Sequence, residues 1–262
     1  MRVQDIMDQN HPSIYADELA TKARAILRDL KLRVLPVVDA HKRLIGMISR
    51  NDIMTITSSV SSIRVNGIMS RTPFTATLDM DAVQTVRKMI SLDKWYIPVV
   101  KSSQDNTYAG ILGLEQLIRK LVEKNVAGLS TPLAKVMATE NLLLCSPDDE
   151  TNAIWQQMKQ RSFAACPVVV KGKPVGILTQ HNLLESGSIF PEFEAKKGRF
   201  KAPTKISAVM KTPVVSLKPT NTVGDAAKLM LERNIGRVPI VDEKGKLDGI
   251  VDREDVVKAL IK

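Results

Sequence analysis

The chain has 262 residues, 44% of them hydrophobic, with a formal net charge of +10. That length admits one large domain or several small ones, and the hydrophobic share is ordinary for a packed core. No apolar run approaches the roughly 20 residues that span a bilayer, two cysteines make no disulfide framework, and aromatics at 4% leave the core aliphatic. Cys145 and Cys166 sit among apolar neighbours and read as buried thiols, so a reduced, cytoplasmic compartment is expected. Met1–Asp5 lacks a signal-peptide pattern. The positive charge suits acidic partners such as nucleotides, nucleic acid or an acidic protein surface, or else serves solubility.

Taken in order, the chain repeats one unit four times. The first, residues 1–60, opens with the hydrophobic–Met pair Ile6 and Met7. A helical stretch leads to the strand Val34-Leu35-Pro36-Val37-Val38, and a second strand, Leu44-Ile45-Gly46-Met47-Ile48, runs into the polar helix start Ser49-Arg50-Asn51-Asp52. After Ser58–Ser62 the second unit, 61–124, repeats the markers at Ile68-Met69, Ile97-Pro98-Val99 and Gly110-Ile111-Leu112, and ends at Gly113-x-x-Gln116. The third, 130–186, has Val136-Met137, Cys166-Pro167-Val168, Gly176-Ile177-Leu178 and Thr179-x-x-Asn182. A basic linker, 187–204, carries Phe190, Phe193 and Phe200; it either binds nucleic acid or a partner by charge and stacking, or is solvated with its Phe residues packed on the body. The fourth unit, 205–262, has Val209-Met210, an apolar stripe at Val223, Ala226, Ala227, Met230 and Leu231, then Val238-Pro239-Ile240, the turn Asp242–Gly245, and Gly249-Ile250-Val251 running into Asp252-x-x-Asp255. Proline at the first residues of a strand is tolerated. Each unit thus reads as β-α-β-β-α over about 55 residues, an α+β fold, and a unit that small needs a partner to cover its sheet.

The helix starts have two readings. Ser, Thr, Asp and Gly are all acceptable N-caps, so capping explains the first position of each without any ligand. It does not explain why the third position is Asp twice, at 52 and 255.

These markers resemble CBS domains over about residues 3–186 and 205–261. The resemblance implies four CBS units paired into two Bateman modules, as in the gamma subunit of AMP-activated protein kinase and in stand-alone archaeal CBS proteins. It implies that the Asp of Ser/Thr-x-x-Asp holds the ribose while the hydroxyl and helix start face phosphate. Ser49 and Asp52 match in full. Asp252 and Asp255 keep the ribose carboxylate but put a second one, which repels phosphate, at the hydroxyl's place; this favours a nucleoside or reliance on Arg253. Thr179 and Asn182 keep the hydroxyl and lose the carboxylate, and the site at Gly113 is expected to be empty. By the same resemblance the pockets are composite. Met47 and Asp52 face Pro73, Phe74 and Tyr96; Ile250 and Asp255 face Leu142, Phe163 and Ala164; Asn182 faces Val215. Trp95 and Tyr96 stack on adenine, block it, or pack as core. Phosphate cations are sought in Arg33 and Arg237 first, then Arg50, Arg253 and His181.

No catalytic or metal-ligating constellation is present in the sequence: His11, His41 and His181 have no Cys or carboxylate at metal-ligand spacing, and no phosphate-binding glycine loop occurs. The expected function is a non-catalytic regulatory sensor of AMP, ADP or ATP, with no required cofactor and no membrane association. The alternatives are an S-adenosylmethionine sensor and a nucleic-acid-binding or partner-docking scaffold. A homodimer is implied by resemblance alone, and a regulated partner protein fits the same role.

Overall fold

Helices form where the sequence places apolar residues at three- and four-residue steps. The computed structural model describes residues 1–54, 56, 61–189 and 203–262. The stripe Leu114, Leu117, Ile118 and Leu121 is buried along α4 (Leu114–Glu123), and Val223, Ala226, Ala227 and Met230 are buried along α7 (Val223–Glu232). The other first-position helices are α1 (Ala20–Asp29), α3 (Ala82–Ser91) and α5 (Thr151–Gln160). The closing helices are α2 (Arg50–Ile53), α6 (Gln180–Ser186) and α8 (Arg253–Leu260). Beyond α1, α3, α5 and α7 the backbone turns through Lys31, Asp93, Ser162 and Asn234, whose φ values are 55°, 52°, 56° and 50°. The same left-handed residue, five before each proline, brings the chain from helix to strand.

In the first two units a short parallel strand joins an antiparallel hairpin. β1 (Ile14–Tyr15) pairs with β2 (Val34–Val38), which pairs with β3 (Leu44–Ser49). β4 (Ala76–Thr77), β5 (Tyr96–Val100) and β6 (Tyr108–Gly113) repeat this. The third and fourth units keep the hairpins β7 (Ala165–Val170) with β8 (Lys173–Thr179) and β9 (Arg237–Val241) with β10 (Leu247–Asp252). Their opening strand shrinks to single parallel bridges, Cys145 with Val168 and Leu217 with Ile240. The β-α-β-β-α order is therefore complete in two units and abbreviated in two. Cys145 and Cys166 are free and buried, with Sγ atoms 3.4 Å apart.

Units exchange opening segments. Met47 and Ser70 bond reciprocally at 2.9 Å, and Asp8 and Ile111 at 2.8 and 3.0 Å, joining units one and two. Ile177 with Lys211 and Ala138 with Ile250 join units three and four in the same way. This is what the repeated glycine serves. A Cβ on Gly110 would stand 2.5 Å from the carbonyl oxygen of Asp8, and one on Gly249 would stand 2.8 Å from that of Ala138. The repeated Met closes over the same gap: Met69 and Met137 sulfurs lie 3.0 and 3.1 Å from where the Cβ atoms of Gly46 and Gly249 would be.

The cores run across this pairing. One cluster gathers Leu27, Ile48 and Ile53 of the first unit with Met158, Leu178 and Leu183 of the third. The other gathers Met89, Leu117 and Ile118 of the second with Met230, Val256 and Val257 of the fourth. Sheet edges thus join one to two and three to four, while helices join one to three and two to four. Among the described residues no helix is long and apolar enough to cross a membrane. The expected basic linker lies outside the described residues except at its ends.

Candidate functional site

The four helix starts use one device. Ser49 donates to Asp52 Oδ2 from its backbone N–H (2.7 Å) and its hydroxyl (2.6 Å). Gly113 N–H donates to Gln116 Oε1 (2.7 Å), Thr179 N–H to Asn182 Oδ1 (3.0 Å), and Asp252 N–H to Asp255 Oδ2 (2.9 Å). Every third-position residue, including both Asp, accepts from the cap backbone; with the Ser49, Thr179 and Asp252 side chains this completes a capping box, and at Gly113 only the return bond is made. Capping therefore involves the third position of the motif as well as the first. Asp252 caps more fully than the others: its Oδ1 accepts from the N–H groups of Glu254 (2.9 Å) and Asp255 (3.2 Å).

The starts meet across the two pairs. Gln180 Nε2 donates to Asn51 Oδ1 at 2.8 Å, linking the third unit to the first. Arg253 Nη1 donates to Glu115 Oε2 and to Tyr96 Oη, both at 2.9 Å, linking the fourth to the second. Its Nη2 reaches Asn234 Oδ1 at 3.2 Å, and the residue is 1% exposed. At Gly113 a Cβ would lie 2.7 Å from the Tyr96 ring and 2.8 Å from Glu115 Oε2. The space at the second unit's helix start is filled by the protein's own side chains.

The predicted cations divide into two kinds. Arg50 and Arg253 are buried and engaged: Arg50 donates through Nε to Leu32 O and through Nη2 to Lys31 O, both at 2.7 Å. Burial and the neighbouring Arg33 push the Arg50 guanidinium down to about 10. Arg33 and Arg237 converge instead on Trp95, with guanidinium carbons 5.6 and 4.8 Å from the ring centroid. Arg33 packs so closely on the fourth unit that a Cβ on Gly236 would stand 2.6 Å from its Nη2. Arg237 lies 3.5 Å from Asp252 Oδ2. Arg33 forms no ion pair among the described residues.

The carboxylates here are destabilised as anions. Burial, then Asp252, pushes Asp255 up to about 7. Asp252 is also raised, by burial against the opposing pull of Arg237. His181 is lowered, by burial and then by Arg50, and its Nδ1 is buried without a hydrogen-bond partner among the described residues.

The remaining predicted residues line the seams. Met47 and Ile250 carry the bridges to Ser70 and Ala138. Pro73 is exposed and Phe74 partly buried on the second core. Phe163 and Ala164 supply carbonyls to Gln180 (3.4 and 3.0 Å) rather than to the fourth unit. Leu142 is half-buried and Val215 42% exposed. Sequence reasoning did not single out Glu115, Glu254, Asn51 or Gln180. For all but Gln180, which directly follows its cap, a signal was available: the residue two after each cap is Asn51, Glu115, His181 or Glu254, polar in all four units. A separate cleft of about 480 Å³, lined by Tyr15–Glu18, Val38–Ala40 and Asn66, lies at the end of β2 away from Ser49. Among the described residues no group of three His, Cys, Asp or Glu is placed to hold a metal ion.

Comparison with known proteins agrees with this geometry. A family model described as "CBS domain" matches residues 3–58, 65–123, 133–188 and 206–262. The uncharacterized protein MJ1225 of Methanocaldococcus jannaschii is 24% identical over 267 residues, 94% of each chain. Its crystal structure, whose description proposes an archaeal homolog of g-AMPK, superposes with a TM-score of 0.86 at 21% identity, covering 98% of this chain and 99% of that one. An uncharacterized conserved protein from Pyrococcus horikoshii gives 0.67 at 21% identity over 99% and 100%.

Proposed function

Since the chain belongs to the CBS-domain family, we propose that it is a regulatory adenine-nucleotide-binding protein without chemistry of its own. Its ligands bind at Asp52 and Asp255, ribose on the carboxylate, and any phosphate points toward the centre where the helix starts meet. The observation that carries this reading is Arg33, a half-buried guanidinium set beside Arg237 over one indole with no carboxylate of its own. Two cations held this close repel each other, and an anion between or beside them relieves the repulsion. Ligand occupancy would shift the set of one pair against the other, to the extent that the two settings bind it differently. A regulated partner protein would read that setting.

Calorimetric titration of protein freed of carried-over ligand, with AMP, ADP and ATP, tests the reading. Saturable binding is expected, weakened at least tenfold by Arg33→Ala and lost from one site in Asp52→Ala. Flat traces from folded protein would overturn it.

A further inference from the structure

Resting on that reading, we propose that the two clefts differ in the ligand they take: the cleft at Asp255 selects an adenosyl compound lacking a 5′-phosphate, and Asp252 is the residue that excludes phosphate.

A phosphate at a helix start is held by unspent backbone N–H groups and by a nearby cation. At the start of α8 both are already taken. Asp252 Oδ1 accepts from the N–H groups of Glu254 and Asp255, and Asp252 Oδ2 faces Arg237 at 3.5 Å. The carboxylate thus stands in the protein for the anion that the site would otherwise recruit. A phosphate entering there would have to displace Asp252 from the amides and then lie beside it. Glu254, the next carboxylate, offers no relief: its cation, Lys258, is already bound to it at 2.7 Å, and its other oxygen receives Trp95 Nε1 at 3.4 Å. Arg237 and Lys258 at this helix start each already face a carboxylate.

The first unit differs at the decisive atom. Ser49 is neutral, and its hydroxyl donates to Asp52 at 2.6 Å; Arg33 forms no ion pair among the described residues. One chain therefore pairs a start capped by a neutral hydroxyl with a start that supplies its own anion. An uncharged or cationic 5′ end does not compete with Asp252 for the amides or for Arg237.

The test uses the full chain carrying Asp52→Ala, which leaves the cleft at Asp255 to be read alone, titrated with adenosine and with AMP. Adenosine is expected to bind at least tenfold more tightly than AMP, and Asp255→Ala to abolish that binding. Adding Asp252→Ser, which keeps a capping oxygen, should raise AMP affinity at least tenfold and change adenosine less than threefold. Asp252→Asn, which removes the charge at constant shape, should move AMP in the same direction and guards against a folding defect in the serine variant. AMP binding as tightly as adenosine at a site removed by Asp255→Ala would overturn this inference and leave the proposed function standing. Neither ligand binding, in protein that folds, would overturn both for this cleft.

Discussion

Asp255 shows how much chemistry one residue can hold beyond its place in a motif. Its position was legible as a carboxylate three residues after a cap, at the end of an apolar strand. Its protonation was not, because that depends on burial and on the second carboxylate at Asp252. The sign of the consequence is fixed. With a folded pKa near 7 and an unfolded one near 4, Asp255 holds its proton in the native state over a window where the unfolded chain has released it. Stability is then fully present at low pH and falls as pH rises through that window, levelling above about 7. In thermal melts of the ligand-free protein, moving from pH 5.5 to pH 8 should lower Tm more, or raise it less, in the parent than in Asp252→Asn, because the buried His11 and His181, held below their ordinary values, add the same opposite change to both. A variant whose Tm runs parallel to that of the parent would contradict the assignment.

At the scale of elements, helices and hairpins were readable because their signals are local: stripes, caps, and prolines at strand starts. The abbreviated opening strands of the third and fourth units were not, since a single bridge such as Cys145 with Val168 leaves no alternation to read. The glycine and methionine markers were visible as a repeat, but their reason lies in the opening segment of another unit, far along the chain. The turns after the first helices carry a further lesson. Four different residues adopt the left-handed conformation there, and none is glycine. Such a conformation costs a side-chain-bearing residue about 1–2 kcal/mol, and glycine returns part of that gain through its unfolded entropy. Ser162, exposed in its turn, is the plainest case. Ser162→Gly is expected to stabilise the protein by about 0.5–1 kcal/mol in urea titrations at unchanged slope; destabilisation would mean that the side chain serves another purpose.

At the scale of the whole molecule, the fourth unit is bolted to the second through Arg253, Glu115 and Tyr96. No sequence spacing exposes such a bolt, because its members come from helix starts 138 residues apart. Arg253 is almost wholly enclosed while Glu115 is one-fifth exposed. Removing the carboxylate leaves a buried cation with only neutral partners, a change that costs about 3 kcal/mol or more. Glu115→Ala should therefore lower the urea midpoint sharply, and Glu115→Gln, which still accepts a hydrogen bond, should lower it less. Equal, negligible losses would show that Tyr96 and Asn234 suffice.

The crossing of cores over pairs bears on how such a chain could arise. Each half, residues 1–126 or 132–262, closes its sheets internally but leaves its helical faces bare, since the cover for α2 and α4 comes from the other half. Two copies of one half present each other with the same kind of face. The segment 1–126 expressed alone is expected to sediment as a dimer, each copy covering the other's helical faces, and a monomer that stays folded would refute this. A short ancestral gene whose product paired with itself needed only tandem fusion to become this protein. After such a fusion the two copies are at liberty to diverge, and Gly113 of one half stands where the other half has Asp252.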